Sequence, residues 1–136
     1  MNLKETCTLL MSHPKIKDIL FDVITNRTIK VQAVFLSHVS YRDAGRYLEG
    51  LTERKRYDVC KQIAELHRIP KWEMQQIIKE IVDEVNVRVN HGVKKDYYSR
   101  SKVSAQDTMN GLYRELSPKL KAEMEESVAE EGIHMR

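Results

Sequence analysis

The chain has 136 residues, of which 41% are hydrophobic and 32% charged, and its formal net charge is +3. That length suits one domain with a real core, and so small a charge does not call for nucleic acid or a membrane as partner. Three prolines and five glycines are too few for a many-turned sheet protein, so the composition favours helices.

Asn2 and Glu5 make a capping box for a helix running through Met11. Ser12-His13-Pro14 stops it and starts the next, since proline suits a first helical position. Ile16, Ile19, Leu20, Val23 and Ile24 line one face of that second helix, which Asn26 ends. Thr28 caps a third, from Ile29 to about Val39, with Val31, Val34, Phe35 and His38 on one side. Ser40 and Asp43 open a short fourth helix to Glu49, with Ala44, Tyr47, Leu48 and Leu51 as its apolar side. Gly50 stands where a left-handed C-terminal cap is expected. Thr52 caps the fifth helix, whose expected buried stripe is Tyr57, Cys60, Ile63, Ala64 and His67.

Pro70 begins the longest helix, carrying Trp72, Met74, Ile77, Ile78, Ile81, Val82 and Val85. Val85 to Val89 alternates with period two, but a lone strand has nothing to pair with, so the helix is read on to about Asn90 and a stop at Gly92. Residues 93–102 have no helical stripe and read as a basic linker. Ser104 with Asp107 opens a helix holding Met109, Leu112, Tyr113 and Leu116. Ser117-Pro118 opens the last, with Leu120, Met124 and Val128 on one face. The organisation expected is therefore an N-terminal helical pair (1–27), a helical unit (28–92), a linker (93–102) and a C-terminal hairpin (103–136). The pattern around Asp43, Leu48, Leu51, Thr52, Val59, Ile63 and Ala64 recurs about 64 residues later at Asp107, Leu112, Leu116, Ser117, Met124, Val128 and Ala129. Stacked helical hairpins of this sort are the logic of armadillo-like arrays.

Chemistry-bearing patterns are sparse. The five histidines include no H-E-x-x-H, and Cys60 precedes His67 by nearly two helical turns, so no metal site is expected. A buried, hydrogen-bonded role is expected for His38 and His67. No glycine-rich phosphate loop or nucleophile elbow occurs, and Cys60, expected to be buried, is unsuited to nucleophilic work. Neither catalysis nor a cofactor is expected. Cys7 and Cys60 form no disulfide framework, which points to a reducing compartment. No run approaches membrane-spanning length and the N-terminus lacks a signal-peptide core, so a cytoplasmic protein without membrane insertion is expected.

Charge placement suggests where partners bind. Residues 1–103 carry about +6 and residues 104–136 about −3, an asymmetry that favours head-to-tail contacts between copies or contacts with other proteins. Arg54-Lys55-Arg56 sits in the first turn of a helix, where the macrodipole disfavours cations, and so marks a surface for an acidic partner. Lys94 to Lys102 interleaves bases with Tyr97 and Tyr98, as single-strand binders do. A small nucleic-acid-binding regulator using Arg54–Arg56 and that linker is the alternative reading, without a recognisable recognition helix to support it.

The run Ala33–Ile81 resembles the middle, armadillo-like domain of the flagellar motor switch protein FliG family. Leu36-Ser37-His38-Val39 is similar to its LSHL-type helix end, and Asp43-Ala44 with Leu48 and Leu51 to its DxAAExLxxLP helix and turn. Val59, Ile63, Ala64 and Leu66 fall where its longer helix carries the RRIA pattern, and Arg68-Ile69-Pro70 resembles its step into the next helix. Residues 103–131 resemble the helices that follow. The resemblance implies an all-α, right-handed superhelical armadillo-like array of short hairpins. It also implies a non-enzymatic scaffold of the rotor switch, at the cytoplasmic face of the inner membrane, that contacts rotor, switch or basal-body proteins and other copies of itself.

The departures from the family fall at its docking motifs. Where members carry E-H-P-Q, which helps dock the switch protein FliM, this chain has Arg27-Thr28-Ile29-Lys30. Ser99-Arg100-Ser101-Lys102 replaces a glycine-rich docking stretch, and the charged C-terminal helix that meets the stator has no counterpart in these residues. A divergent or truncated member is the implied status. The magnesium-transporter regulatory domain has a similar superhelix, but its acidic ion-sensing surface is missing. The candidate interaction residues are Arg27, Thr28, Lys30, Arg54, Lys55, Arg56, Tyr97 and Tyr98.

Overall fold

The computed structural model describes residues 2–93, 105, 107–115 and 118, and no strand occurs among the described residues. The elements are α1 (Leu3–Ser12), α2 (Pro14–Thr25), α3 (Ile29–Leu36), α4 (Tyr41–Glu49), α5 (Glu53–Ala64), a 3₁₀ turn (Leu66–Arg68) and α6 (Lys71–Val93). Residues 107–115 are a further helical stretch, α7.

Side-chain caps set four of the helix starts. Asn2 Oδ1 accepts from the Glu5 amide at 2.8 Å, Thr28 Oγ1 from Val31 at 3.4 Å, Ser40 Oγ from Asp43 at 3.1 Å and Thr52 Oγ1 from Lys55 at 3.3 Å. Each satisfies an amide that the helix itself leaves without a partner, a contribution of about 1 kcal/mol apiece. Asp43 also accepts from the Ser40 hydroxyl, and the Asn2 side-chain amide donates to Glu5, so the return contact at each start is made between side chains and not to the cap's backbone amide. Pro14 occupies the first turn of α2, as the sequence predicts.

α3 is the centre of the fold. The sequence reading gave it one apolar face, yet Gln32, Ala33, Val34, Phe35 and Leu36 are buried in succession. A helix buried on consecutive residues has neighbours on all sides, and α3 packs on α2, α5 and α6. α1 packs on α2 and α2 on α6, so the N-terminal pair shares one core with the elements that follow. α7 joins that core through Met109 and Leu112, with Ala105 packed beside them.

Gln32 brings a polar group into this centre, and its amide is bonded at both ends. Nε2 donates to the Arg27 carbonyl at 3.0 Å, and Oε1 accepts from the Tyr47 hydroxyl at 2.7 Å. Thr25 Oγ1 lies 3.4 Å from the same hydroxyl. Tyr47 in turn sets its ring against Phe21, centroids 5.6 Å apart and tilted, and Lys17 reaches from α2 to Asp43 of α4 at 3.5 Å. Burial pushes the Tyr47 pKa above its ordinary value, with Thr25 pulling the other way, so the hydroxyl remains a donor well above neutrality.

Two local expectations fail for identifiable reasons. Gly50 is right-handed, with φ −76° and ψ −9°, not left-handed. The carbonyls at the end of α4 are satisfied instead by the Arg56 guanidinium, which donates to Leu48 O at 3.0 Å and Leu51 O at 3.3 Å, and by tight bonds from Gly50 N to Tyr47 O and Leu51 N to Leu48 O. The buried stripe of α5 is also misassigned, apart from Ile63. Val59 is buried and Ile63 and Leu66 pack beside it, whereas Tyr57, Cys60, Ala64 and His67 are exposed. α5 carries two apolar stripes, and the aliphatic one buries more surface without hiding a phenol or an imidazole that needs a partner. His67 lies on the 3₁₀ turn, while His38 is half-buried with Nδ1 2.7 Å from the Val34 carbonyl.

The period-two run at the end of α6 is helical. Val85 and Val89 continue the inward row of Ile78, Ile81 and Val82, and Val87 faces out. The helix passes Gly92 to Val93, one turn further than the glycine suggests. The linker, Ser104, Leu116 and the last helix of the sequence reading lie outside the described residues.

Tyr47→Phe removes the donor to buried Gln32 and is expected to cost about 1–3 kcal/mol in urea unfolding, with Tyr47→Phe/Gln32→Met costing less than the two single changes together. Because Gly50 is right-handed and a Cβ there meets only Tyr47 O at 3.5 Å, Gly50→Ala is expected to be neutral or to stabilise by up to about 1 kcal/mol. A left-handed cap would give a loss of similar size in the same measurement.

Candidate protein-interaction surface

The turn between α2 and α3 is held to α6 by charge. Arg27 pairs with Glu84, Lys30 with Glu73, and Arg88 bridges Asp22 at 2.6 Å and Glu84 at 3.1 Å. The partners run in opposite order along the two segments, 22–27–30 against 88–84–73, so the pairs form a seam from the first turn of α6 almost to its end. Thr28, between Arg27 and Lys30, is the α3 cap. All three of these candidate residues thus have an intrachain role, and the seam leaves this corner with its charges already paired.

The second candidate cluster divides. Arg56 turns back to the end of α4, which explains its place at the wrong end of a helix dipole: it serves the carbonyl end of the preceding helix, where a cation is favoured. Arg54 and Lys55 are exposed in the first turn of α5. Tyr97 and Tyr98 lie outside the described residues.

The structure adds surface features that the sequence reading passed over. Tyr41, the first residue of α4, is 97% exposed, and Tyr57 is 66% exposed on the outer side of α5. Tyr57, Lys61 and Ala64 share that outer face with Arg54 and Cys60. On α6, Glu80, Asp83, Glu84 and Val87 form one stripe and line a shallow depression of about 420 Å³ together with Arg27. Val87 is 52% exposed there. The signal for Tyr57 was present in the sequence as the second stripe of α5. For Tyr41 it was the position directly after a cap, outside every apolar row.

Among the described residues no three His, Cys, Asp or Glu side chains converge as a metal site would require, and no helix is long and apolar enough to cross a membrane. The surface is one of charged stripes and isolated aromatics on packed helices, an arrangement suited to contacts with other macromolecules.

The family model for the FliG middle domain matches residues 17–91, from the first turn of α2 nearly to the end of α6. The chain belongs to the FliG middle-domain family. The FliG middle domain is an all-α, armadillo-like fold, and the helices around α3 are that fold in this chain. Family membership associates it with the flagellum, motility and the motor switch, in which FliG is a cytoplasmic, structural component rather than an enzyme and contacts other flagellar proteins. No match was found among the curated proteins or the solved structures. The match begins inside α2 and includes the FliG-like positions Val59, Ile63, Ala64 and Leu66, of which Val59, Ile63 and Leu66 pack in the core and Ala64 is exposed.

The two cysteines of this FliG-like chain report on its surface and its core. Cys7 is buried, and burial pushes its pKa up to about 12, whereas Cys60 is exposed. One thiol is expected to react rapidly with a thiol reagent at pH 8, and Cys60→Ser abolishes that phase; Cys7 reacts only on unfolding. The raised Cys7 pKa also means that the folded state holds its proton more tightly than the unfolded chain. Its contribution is full below the ordinary thiol pKa of 9.0 and is lost as pH climbs toward about 12, a slope that Cys7→Ala reduces in alkaline unfolding curves.

Proposed function

We propose that this chain is a non-enzymatic scaffold of the flagellar rotor switch, acting by docking other switch or basal-body proteins and by contacts between its own copies. The family match across residues 17–91 carries the reading, because it spans the whole packed unit from α2 to α6 rather than a short motif. A scaffold of this kind works at the cytoplasmic face of the inner membrane as a peripheral component. The organisation read from the sequence fits the role: an N-terminal pair (1–27), an armadillo-like unit (28–92), a basic linker (93–102) and a C-terminal hairpin (103–136).

The partner surface differs from the one the family uses. The Arg27–Lys30 corner, standing where members carry E-H-P-Q, spends Arg27 and Lys30 on Glu84 and Glu73. Docking therefore relies on the open faces, with Arg54 and Lys55 on α5 and Tyr41 on α4 as its contact residues. Tyr97 and Tyr98 are kept as further candidate contact residues from the sequence.

The test is affinity capture of the tagged chain from its native cell after mild cross-linking, read for rotor and basal-body proteins by mass spectrometry. Those proteins are expected at levels at least ten times those of a Tyr41→Ser/Arg54→Glu/Lys55→Glu control. Capture without any of them, or capture that the control retains in full, rejects the reading.

A further inference from the structure

We infer that the outer face of α5 docks a helix of a partner protein, one with carboxylates along its contact line and bases beside them. The inference gives the partner chemistry of the Arg54–Lys55 surface. It rests on the reading of that surface as a docking site, not on which flagellar protein supplies the helix.

Arg54, Tyr57, Lys61 and Ala64 follow one another at intervals of three, four and three residues. That spacing holds side chains in one line along a helix, as in the rows by which two helices pack together. Val59 fixes where the line points. It is the buried residue of α5, on the side packed against α3, and in a seven-residue repeat it stands opposite the line. The line therefore faces away from the core, and all four of its residues are exposed. Among the described residues the ion pairs join α2, the α2–α3 turn, α3, α4 and α6, and Arg54 and Lys61 take part in none of them.

The acids of this segment lie off the line. Glu53 stands on one edge with Cys60, and Asp58 stands on the other with Glu65, the residue that ends α5. The face is thus cationic along its middle and acidic along its edges. A nucleic-acid strand or an anionic bilayer is negative throughout and would meet those three carboxylates as well as the cations. A helix can set Asp or Glu against Arg54 and Lys61, apolar groups over Tyr57 and Ala64, and Lys or Arg against the edge acids. Of the three occupants it alone matches the whole charge pattern. Arg54 and Lys61 stand about 10.5 Å apart along the axis, so the partner's matching acids lie two turns apart on its own helix. Tyr57 between them is the anchor, a large ring already 66% exposed whose hydroxyl stays at the rim of the contact.

Cys60 makes the docking measurable on the full chain, since its exposed thiol stands at the edge of the line between Tyr57 and Ala64. The probe is a synthetic helical peptide of three heptads with Glu and Leu alternating along one line, Lys at its edges and Ala elsewhere. A control peptide has the same composition with Glu moved to the opposite side. Saturating probe is expected to slow the reaction of Cys60 with a thiol reagent at least tenfold and the control less than twofold, with the probe's binding weakened as salt is raised. Tyr57→Ser and Arg54→Glu/Lys61→Glu are each expected to lose the protection while keeping the wild-type circular dichroism spectrum. A probe with Lys in place of its Glu line is expected to protect the charge-reversed chain and not the wild type. No protection by the probe, equal protection by the control, or variants protected as the wild type is overturns the inference. So does stronger protection by single-stranded oligothymidylate, by phosphatidylglycerol vesicles or by Cys60→Ser copies of the chain, each of which identifies another occupant. Failure here, with rotor proteins still captured from the cell by the wild type and lost by the Tyr41→Ser/Arg54→Glu/Lys55→Glu control, leaves the docking reading standing and removes only the helix.

Discussion

Everything in this fold is arranged around α3, a helix of eight residues whose last five, Gln32 to Leu36, are buried in succession. An isolated helix of that length has almost no stability of its own. Its neighbours must therefore exist before α3 is worth forming, and α3 must exist before they have anything to cover. The polar atoms of Gln32 raise the stakes. An amide in an apolar centre is tolerated only when both its ends are bonded, and one end is held by the Arg27 carbonyl, the other by Tyr47. That single side chain ties the α2–α3 turn and α4 to the same point.

The seam of ion pairs between the α2–α3 turn and α6 has a different character. Its side chains keep between 29% and 69% of their exposure, so each pair contributes only about 0–1 kcal/mol to stability. What the seam fixes is direction. Arg88 spans Asp22 and Glu84, and Arg27 meets the same Glu84, so the second half of α6 lies along α2 in one register. The apolar rows beneath, with Ile78, Ile81, Val82 and Val85 against Leu20, Val23 and Ile24, supply the energy. The corner at Arg27–Lys30 is thus occupied by the protein's own charges.

Much was legible in the sequence. The caps at Asn2, Thr28, Ser40 and Thr52 were readable because capping is a local contest, settled by a side chain and an amide three residues away. The inward rows of α2 and α6 were readable because each helix has one continuous aliphatic stripe. The family fold could be recognised from the turns and apolar positions between Ala33 and Ile81. Three things were not legible. α5 has two stripes of similar spacing, and only contact with α3 chooses Val59, Ile63 and Leu66 over Tyr57, Cys60 and Ala64. Gly50 looked like a left-handed cap because nothing nearby could satisfy the carbonyls, until Arg56 folded back from the next helix. Arg27 and Lys30 looked like surface cations because their acids lie more than forty residues further along the chain.

Among the described residues up to α6, the amino-acid sequence by itself thus determined which segments are helices, where each begins and which family they belong to, since hydrogen-bond capping and apolar periodicity act within a few residues. The tertiary structure alone decided that α3 is enclosed, which side of α5 is buried and which cations are already paired. Those outcomes depend on competition for area and for counter-charge between segments distant in the chain, and no local pattern records who wins it.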